Sequence, residues 1–273
     1  MKPPTRVGIV ARADMPERVK VAAEVASLLR GRVELVAKDE LASPLSLPGE
    51  PLAQMRADVI VTIGGDGTIL YTLQQNPAPV FGVNTGELGF LTEILPADLR
   101  AGLDRLLSGD FALEERTKVA TRLNGERLPD ATNEAVLKAS RASKMLRLRI
   151  AHDRDLIDDA LRADGVIVAT PTGSTSYAMS AGGPIVDPPL PALILVPIAP
   201  FKLSSRPHVF PASDTLEIEM LAPGKDAVVV LDGQFERPIG EGDRLAFTGS
   251  EQKARFVRFR KHGFERVRKH LVR

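Results

Sequence analysis

Asp66 stands among glycines in Ile63-Gly64-Gly65-Asp66-Gly67-Thr68, directly after an apolar run. Glycine tolerates positive φ and adds no side-chain bulk, so backbone amides in such a turn can approach an anionic ligand closely. A carboxylate held at the same mouth can deprotonate a hydroxyl or hold Mg²⁺. It can equally serve as a structural acceptor in a tight strand-to-helix turn. A second stretch, Asp164 to Pro184, reads DGVIVATPTGSTSYAMSAGGP. There Thr170, Thr172, Ser174, Thr175, Ser176 and Ser180 crowd around Gly173, Gly182 and Gly183. So many hydroxyl donors in one turn suit a polyhydroxylated, phosphorylated ligand, which makes a dinucleotide site the expectation and a flexible Ser/Thr loop the alternative.

Three shorter motifs add to these. Asn84-Thr85-Gly86-Glu87-Leu88-Gly89-Phe90 follows another apolar strand and would frame the same crevice as the glycine turn, with Phe90 expected in the core. Asn133-Glu134 precedes the apolar Ala135-Val136-Leu137; an amide that donates and accepts beside a carboxylate suits adenine or ribose hydroxyls. Asp232-Gly233-Gln234 reads as a hairpin turn. Neither a Walker A (GxxxxGK) nor a GxGxxG fingerprint is present.

The elements that must position these residues fall into two styles. Val7–Val10, Val33–Val36, Val59–Ile63 and Val80–Val83 are short apolar runs of the kind buried in a parallel sheet. Helical spacing lies between or after them: Val19, Ala22, Ala26 and Leu29 closed by Gly31, then Thr68 to Gln75 with Thr68 as a possible cap, and Asp98 to Leu107. Ala42 to Pro51, rich in Pro and Ser, reads as a surface connection. After Gly109, Leu146–Ile150 and Leu216–Met220 alternate with period two, and Ala227–Leu231, Leu245–Thr248 and Phe256–Phe259 continue a β pattern. Glu265 to Leu271 reads as a short basic helix.

Composition sets the outer bounds. The 273 residues suffice for two modest domains, and 36 Lys plus Arg against 35 Asp plus Glu argue against a whole-molecule field for nucleic acid or anionic membrane. The absence of cysteine removes disulfides, thiolate nucleophiles and Cys-ligated zinc. No apolar window approaches the ~20 residues of a membrane span, so a cytoplasmic protein is expected.

Taken in order, these motifs resemble the NAD kinase family. The resemblance rests on GGDGT at Gly64–Thr68, NTGxLGFL at Asn84–Leu91, NE at Asn133–Glu134, DGxxxxTPTGSTxY at Asp164–Tyr177, SAGGPI at Ser180–Ile185 and DGQ at Asp232–Gln234. It implies an α/β plus β fold: a Rossmann-like α/β domain over 1–108 and a β-rich, sandwich-like domain over 109–249. It also implies a tail, 250–273, returning to the first domain, with NAD between the two. The implied activity is Mg²⁺-dependent transfer of a phosphoryl group from ATP or polyphosphate to the adenosine ribose 2′-hydroxyl of NAD, giving NADP. Asp66 would be the general base and Gly67 a dinucleotide contact. Asn133, Glu134, Asp164, Thr175, Ser176, Tyr177, Ala178, Met179 and Ser180 match NAD-holding positions, with Ala199 and Gln234 added; Arg162 and Lys144 fall where basic residues meet phosphate. A homo-oligomer, dimer or tetramer, is implied too.

Three positions depart from the family pattern. Tyr71 stands where many members have a basic residue, Ser176 replaces the Ala of STAY, and Phe201 stands where His is frequent. A lipid kinase sharing GGDGT would present an apolar cleft and would not need Asn133-Glu134 or the hydroxyl-rich loop. A silent NAD(P)-binding regulator would not need Asp66. The basic tail from Lys253 to Arg273 reads as a solvated face in preference to a nucleic-acid contact.

Overall fold

Val7, Ile9 and Val10 are apolar without alternation because their strand, β1 (Arg6–Ala11), lies inside a parallel sheet and is covered on both faces. The computed structural model describes residues 1–86, 89–140, 145–221 and 227–259. Its chain divides into one unit formed by Met1–Glu115 with the chain from Ala254, and another formed by Arg116–Lys253.

In the first unit β1 is followed by α1 (Pro16–Leu29), β2 (Glu34–Lys38), α2 (Asp39–Leu45), β3 (Gly49–Glu50), β4 (Val59–Gly64), α3 (Asp66–Gln75), β5 (Val80–Asn84), α4 (Leu99–Ser108) and β6 (Ala112–Arg116). Pro16 opens α1, where its missing N–H costs nothing, and Ala22, Val25, Ala26 and Leu29 bury one face. The sheet order is β3-β2-β1-β4-β5, with β2 and β4 both parallel to β1. The order therefore reverses between β1 and β4, and their carboxyl ends, paired at Ala11 and Ile63, open the crevice where α/β sheets bind ligands.

Two readings of the local pattern change here. The segment expected as a surface connection starts inside α2, because Leu41 and Leu45, four residues apart, both bury; Pro44 sits in the last turn and Ser46 ends it with φ 51°. The strand Ala254–Arg258, whose pattern alone continues that of the β-rich half, belongs to the first unit, to which the resemblance assigns the tail 250–273: its Phe256 pairs in parallel with Val80 of β5, since alternation reveals a strand but not its partner.

The second unit contains β7 (Val119–Leu123), β8 (Glu126–Arg127), β9 (Glu134–Ala139), β10 (Leu146–His152), β11 (Asp155–Ala163) and β12 (Gly165–Ala169), then α5 (Tyr177–Ser180). There follow β13 (Ala192–Ile198), β14 (His208–Pro211), β15 (Leu216–Met220), β16 (Ala227–Leu231), β17 (Phe235–Ile239) and β18 (Arg244–Gly249); the strand Ala254–Arg258 is β19. Two six-stranded antiparallel sheets result, β11-β10-β15-β18-β7-β8 and β14-β13-β12-β9-β16-β17. Leu146, Leu148 and Ile150 from one and Val166, Val168 and Leu195 from the other share a single core, which makes the unit a sandwich. Strand β12 is apolar throughout because its other face, Ile167 and Ala169, is also covered, by Ala178 and Val186. The short basic helix expected over Glu265–Leu271, and Lys144, lie outside the described residues.

Candidate active site

The glycine turn joins β4 to α3, and α3 begins at Asp66, two residues before the expected start. Thr68 is therefore not the cap: its N–H donates to the Gly65 carbonyl at 3.0 Å, and no side chain caps the helix. Gly64 takes φ 153°, and a Cβ there would stand 2.4 Å from Thr68 Oγ1. Around Gly65 and Gly67 there is open space. Of the first turn only the Asp66 and Gly67 amides are left without an intrahelical acceptor, an arrangement suited to an anion.

Asp66 is aimed by the next loop. Its Oδ2 accepts the Phe90 N–H at 2.8 Å and its Oδ1 the Leu91 N–H at 3.0 Å. Gly89 makes this approach possible, since a Cβ there would lie 2.2 Å from Asp66 Oδ1. Leu91 is held in turn: its carbonyl accepts from Arg258 Nη1 at 2.9 Å, and the buried Arg258 pairs with Glu93 at 3.0 Å and Glu114 at 2.8 Å. Each Asp66 oxygen keeps a lone pair beyond the amide it accepts. Arg18, in the first turn of α1 on the other side of the switch point, brings Nη1 within 3.1 Å of where a Gly64 Cβ would be. A cation so near a helix N-terminus is electrostatically costly unless an anion joins it. Tyr71, which replaces a basic residue, carries Lys38 Nζ 5.0 Å above its ring, so a cation remains nearby.

In the second unit the structure brings Asn133 and Glu134 against the hydroxyl-rich loop. Asn133 O accepts the Thr170 N–H at 2.8 Å, and a Cβ on Gly173 would fall 2.1 Å from that same oxygen. Several hydroxyls expected to read a ligand instead brace the loop. Thr170 Oγ1 donates to Thr132 O at 2.6 Å; Ser174 Oγ donates to Pro171 O at 2.7 Å and accepts from Val186 N at 3.1 Å. A buried turn must satisfy its own backbone before it can offer donors outward. Ser176 remains half-buried and hydrogen-bonded to Glu134, while Tyr177 and Ser180 are exposed, Thr175 and Met179 half-buried and Ala178 buried.

Glu134 is buried and its Oε2 has no protein partner; burial and the neighbouring Asp232 charge push its carboxyl up to about 8. Asp232 is also buried, which raises it to about 6 against the pull of three backbone amides and Lys118. Those amides belong to Thr132 at 2.6 Å, Asn133 at 2.7 Å and Glu134 at 3.1 Å. Sequence reading took Asp232 as part of a hairpin turn and of the DGQ motif, and a turn it is: with φ 52° at Asp232 and 66° at Gly233 it opens the three-residue link, Asp232 to Gln234, from β16 to β17. Its role across 98 residues of chain to Glu134 left no local signal. Gln234 is exposed beside it.

Arg162, Asp164 and Ala199 are not gathered with these residues. Gly165, at the start of β12, pairs with Ile198, whereas Ala169, at its end, pairs with Glu134. A five-residue strand rises about 17 Å, and Arg162, Asp164 and Ala199 stand at the far end. There Phe201 has a partner: the Arg162 guanidinium lies 4.6 Å over its ring and the Phe201 N–H donates to Arg162 O at 2.8 Å.

For a divalent cation, the donor set at the glycine turn is sparse. Among the described residues the one group of three carboxylate or imidazole ligand atoms is His152, Asp153 and Asp214, which includes no motif residue. Asp66 offers one carboxylate, which fits a cation that enters on substrate phosphates and not one held in a protein cage.

Comparison with known proteins gives one answer. Residues 7–111 match the ATP-NAD kinase N-terminal domain and residues 132–259 the ATP-NAD kinase C-terminal domain. The chain is 46% identical to an NAD kinase of Methanothermobacter thermautotrophicus over 98% of this chain and 96% of that one. It is 40% identical to an NAD kinase of Methanosarcina mazei over 97% and 93%. Among solved structures it is similar to yeast NADH kinase complexed with NADH (TM-score 0.87, 26% identity, 94% of this chain and 84% of that one). It is similar also to an NAD kinase from Archaeoglobus fulgidus in complex with ATP (TM-score 0.77, 32% identity, 98% and 97%).

Proposed function

The chain belongs to the NAD kinase family, and from that premise we propose how its residues divide the work. The enzyme phosphorylates NAD with ATP to give NADP. In our reading the adenosine ribose 2′-hydroxyl oxygen attacks the γ-phosphorus of ATP, the bond from that phosphorus to the bridging oxygen breaks, and ADP leaves. Asp66 takes the hydroxyl proton. The observation that carries this assignment is the pair of amides, Phe90 and Leu91, that orient a carboxylate beside uncapped helix amides. Asp66 is the carboxylate available to a Mg²⁺ that enters with the nucleotide, and such an ion would supply neutralisation of the phosphate charge. Gly67 and the open amides meet phosphate, and Arg18 adds a cation to the same crevice.

Asn133, Glu134 and the segment Thr175 to Ser180 hold the dinucleotide in this reading, with Gln234 beside Asp232. Arg162, Asp164 and Ala199 form a second group at the opposite end of β12; a homo-oligomer, dimer or tetramer, is favoured because another copy could present that group to a neighbouring site. No helix among the described residues is long and apolar enough to cross a membrane, and a cytoplasmic location is part of the proposal.

The test is direct. The purified protein is given Mg²⁺, either NAD or NADH, and either ATP or polyphosphate, and the phosphorylated product is measured with an NADP-specific dehydrogenase. Asp66→Asn should lower turnover by about 10² to 10⁴ while NAD affinity stays. Unchanged turnover in that variant would remove Asp66 from the role of base.

A further inference from the structure

We propose that Asp232 is a positioning residue for dinucleotide binding, one that fixes the Thr132–Glu134 backbone and makes the Glu134 carboxyl a hydrogen-bond donor toward the ligand. The proposal rests on the reading that Asn133 and Glu134 hold the dinucleotide, and goes beyond it in assigning Asp232 and the proton.

The argument begins with the backbone. Asp232 occupies the first turn position between β16 and β17, where φ 52° is within reach of Asp but costly for most side chains. From there its two oxygens accept three consecutive N–H groups, those of Thr132, Asn133 and Glu134. Strand β9 starts at Glu134, and Leu231 pairs with Ala135, so the turn and the strand start are locked in register. The Asn133 and Glu134 side chains consequently leave a backbone that cannot slide or rotate without breaking those bonds.

The second step is electrostatic. Asp232 and Glu134 are 6% and 8% exposed, and two neighbouring carboxyls so deeply buried do not both ionise readily. The charge settles on the carboxylate that is better solvated by the protein. Asp232 has three amides and faces Lys118, which itself lies near Asp130 and Arg127. Glu134 has the Ser176 hydroxyl, and its Oε2 has no partner at all. The proton therefore resides on Glu134 at neutral pH, in line with its upward shift to about 8 against about 6 for Asp232. A buried carboxyl with one bare oxygen requires a partner. Carrying the proton, it seeks an acceptor, such as a ribose hydroxyl oxygen or a ring nitrogen of the nucleoside.

The experiment is NAD titration of the full-length protein by calorimetry, without ATP, from pH 6 to 9.5, for the parent, Asp232→Asn and Glu134→Gln. The parent should hold its affinity to about pH 8 and then lose about tenfold per pH unit, as expected when one proton is required for binding. Asp232→Asn removes the neighbouring negative charge, so its loss of affinity should begin at least one pH unit lower, on top of about a tenfold weaker complex. Glu134→Gln cannot ionise and should show no such step. A parent affinity that is flat or rises with pH, or a break that stays in place in Asp232→Asn, overturns the proposal. Should Asp232→Asn fail to fold, Glu134→Gln decides: a step that persists in it overturns the proposal equally. Absence of NAD binding by the parent at every pH would instead overturn the dinucleotide reading on which the proposal rests.

Discussion

The Gly64–Thr68 turn offers a ligand its backbone, whereas the Thr132–Glu134 strand start offers side chains. At the first, the helix is uncapped, two glycines face open space, and one carboxylate is aimed by two amides. At the second, two carboxyls are buried together and the Thr170 and Ser174 hydroxyls are tied into the loop. The contrast follows from what each can recognise. Phosphate is the same on every nucleotide and is well met by amides and a helix end, while a particular hydroxyl or ring atom needs a donor or acceptor fixed in place. Burial makes such a group selective and also makes it a load on folding.

That contrast can be broken at its glycines. Gly173→Ala forces a Cβ into the Asn133 backbone, which no rotamer change can relieve, so a loss of about 3 kcal/mol or more in denaturant unfolding is expected. Gly89→Ala instead meets the Asp66 carboxylate, a side chain that can swing away. Stability should change little, but turnover should fall about 30-fold because the base is displaced from its amides. Equal stability losses in the two variants would mean that both sites are built alike.

The buried pair should also make stability depend on pH. Glu134 is raised to about 8 in the folded chain, so its favourable contribution is fully present below its unfolded value near 4.5 and is lost as pH rises toward about 8. Asp232, raised to about 6, acts in the same direction over the lower part of that window. The melting temperature of the ligand-free protein should thus decline between pH 5 and 8, and Glu134→Gln should flatten the decline. A steady or rising melting temperature in the parent would show that the pair is solvated differently. The smallest effect is expected at the glycine turn's periphery: Arg18→Ala should raise the ATP KM about fivefold and leave the NAD KM in place. An unchanged ATP KM would leave the amides as the sole phosphate contact there.

Much of this was legible in the residues. The apolar runs that became β1, β4 and β5, and the alternation of Leu146–Ile150, name their elements because burial on two faces or one leaves a different period. The GGDGT turn was legible because Gly64 is demanded locally, by its φ of 153° and by Thr68 against it. The hydroxyl-rich loop was legible as a site but misleading in detail: composition counts donors, and only packing tells which of them are already spent on Thr132, Pro171 and Val186. Leu41 and Leu45 went unnoticed beneath a Pro- and Ser-rich composition because a two-turn helix leaves too few periods to detect.

By itself the sequence determined the kinds of element, the family, and the residues with the right chemistry, because period, turn chemistry and motif order are local properties of a chain. Tertiary structure alone decided that Asp232 grips Glu134, that Arg258 steadies the Leu91 beside Asp66, and that Arg162 and Asp164 stand at the other end of β12 from Asn133. Those facts depend on which strands pair and which charges are buried together. Pairing and burial are set by the whole core, and a single segment carries no record of its distant partner.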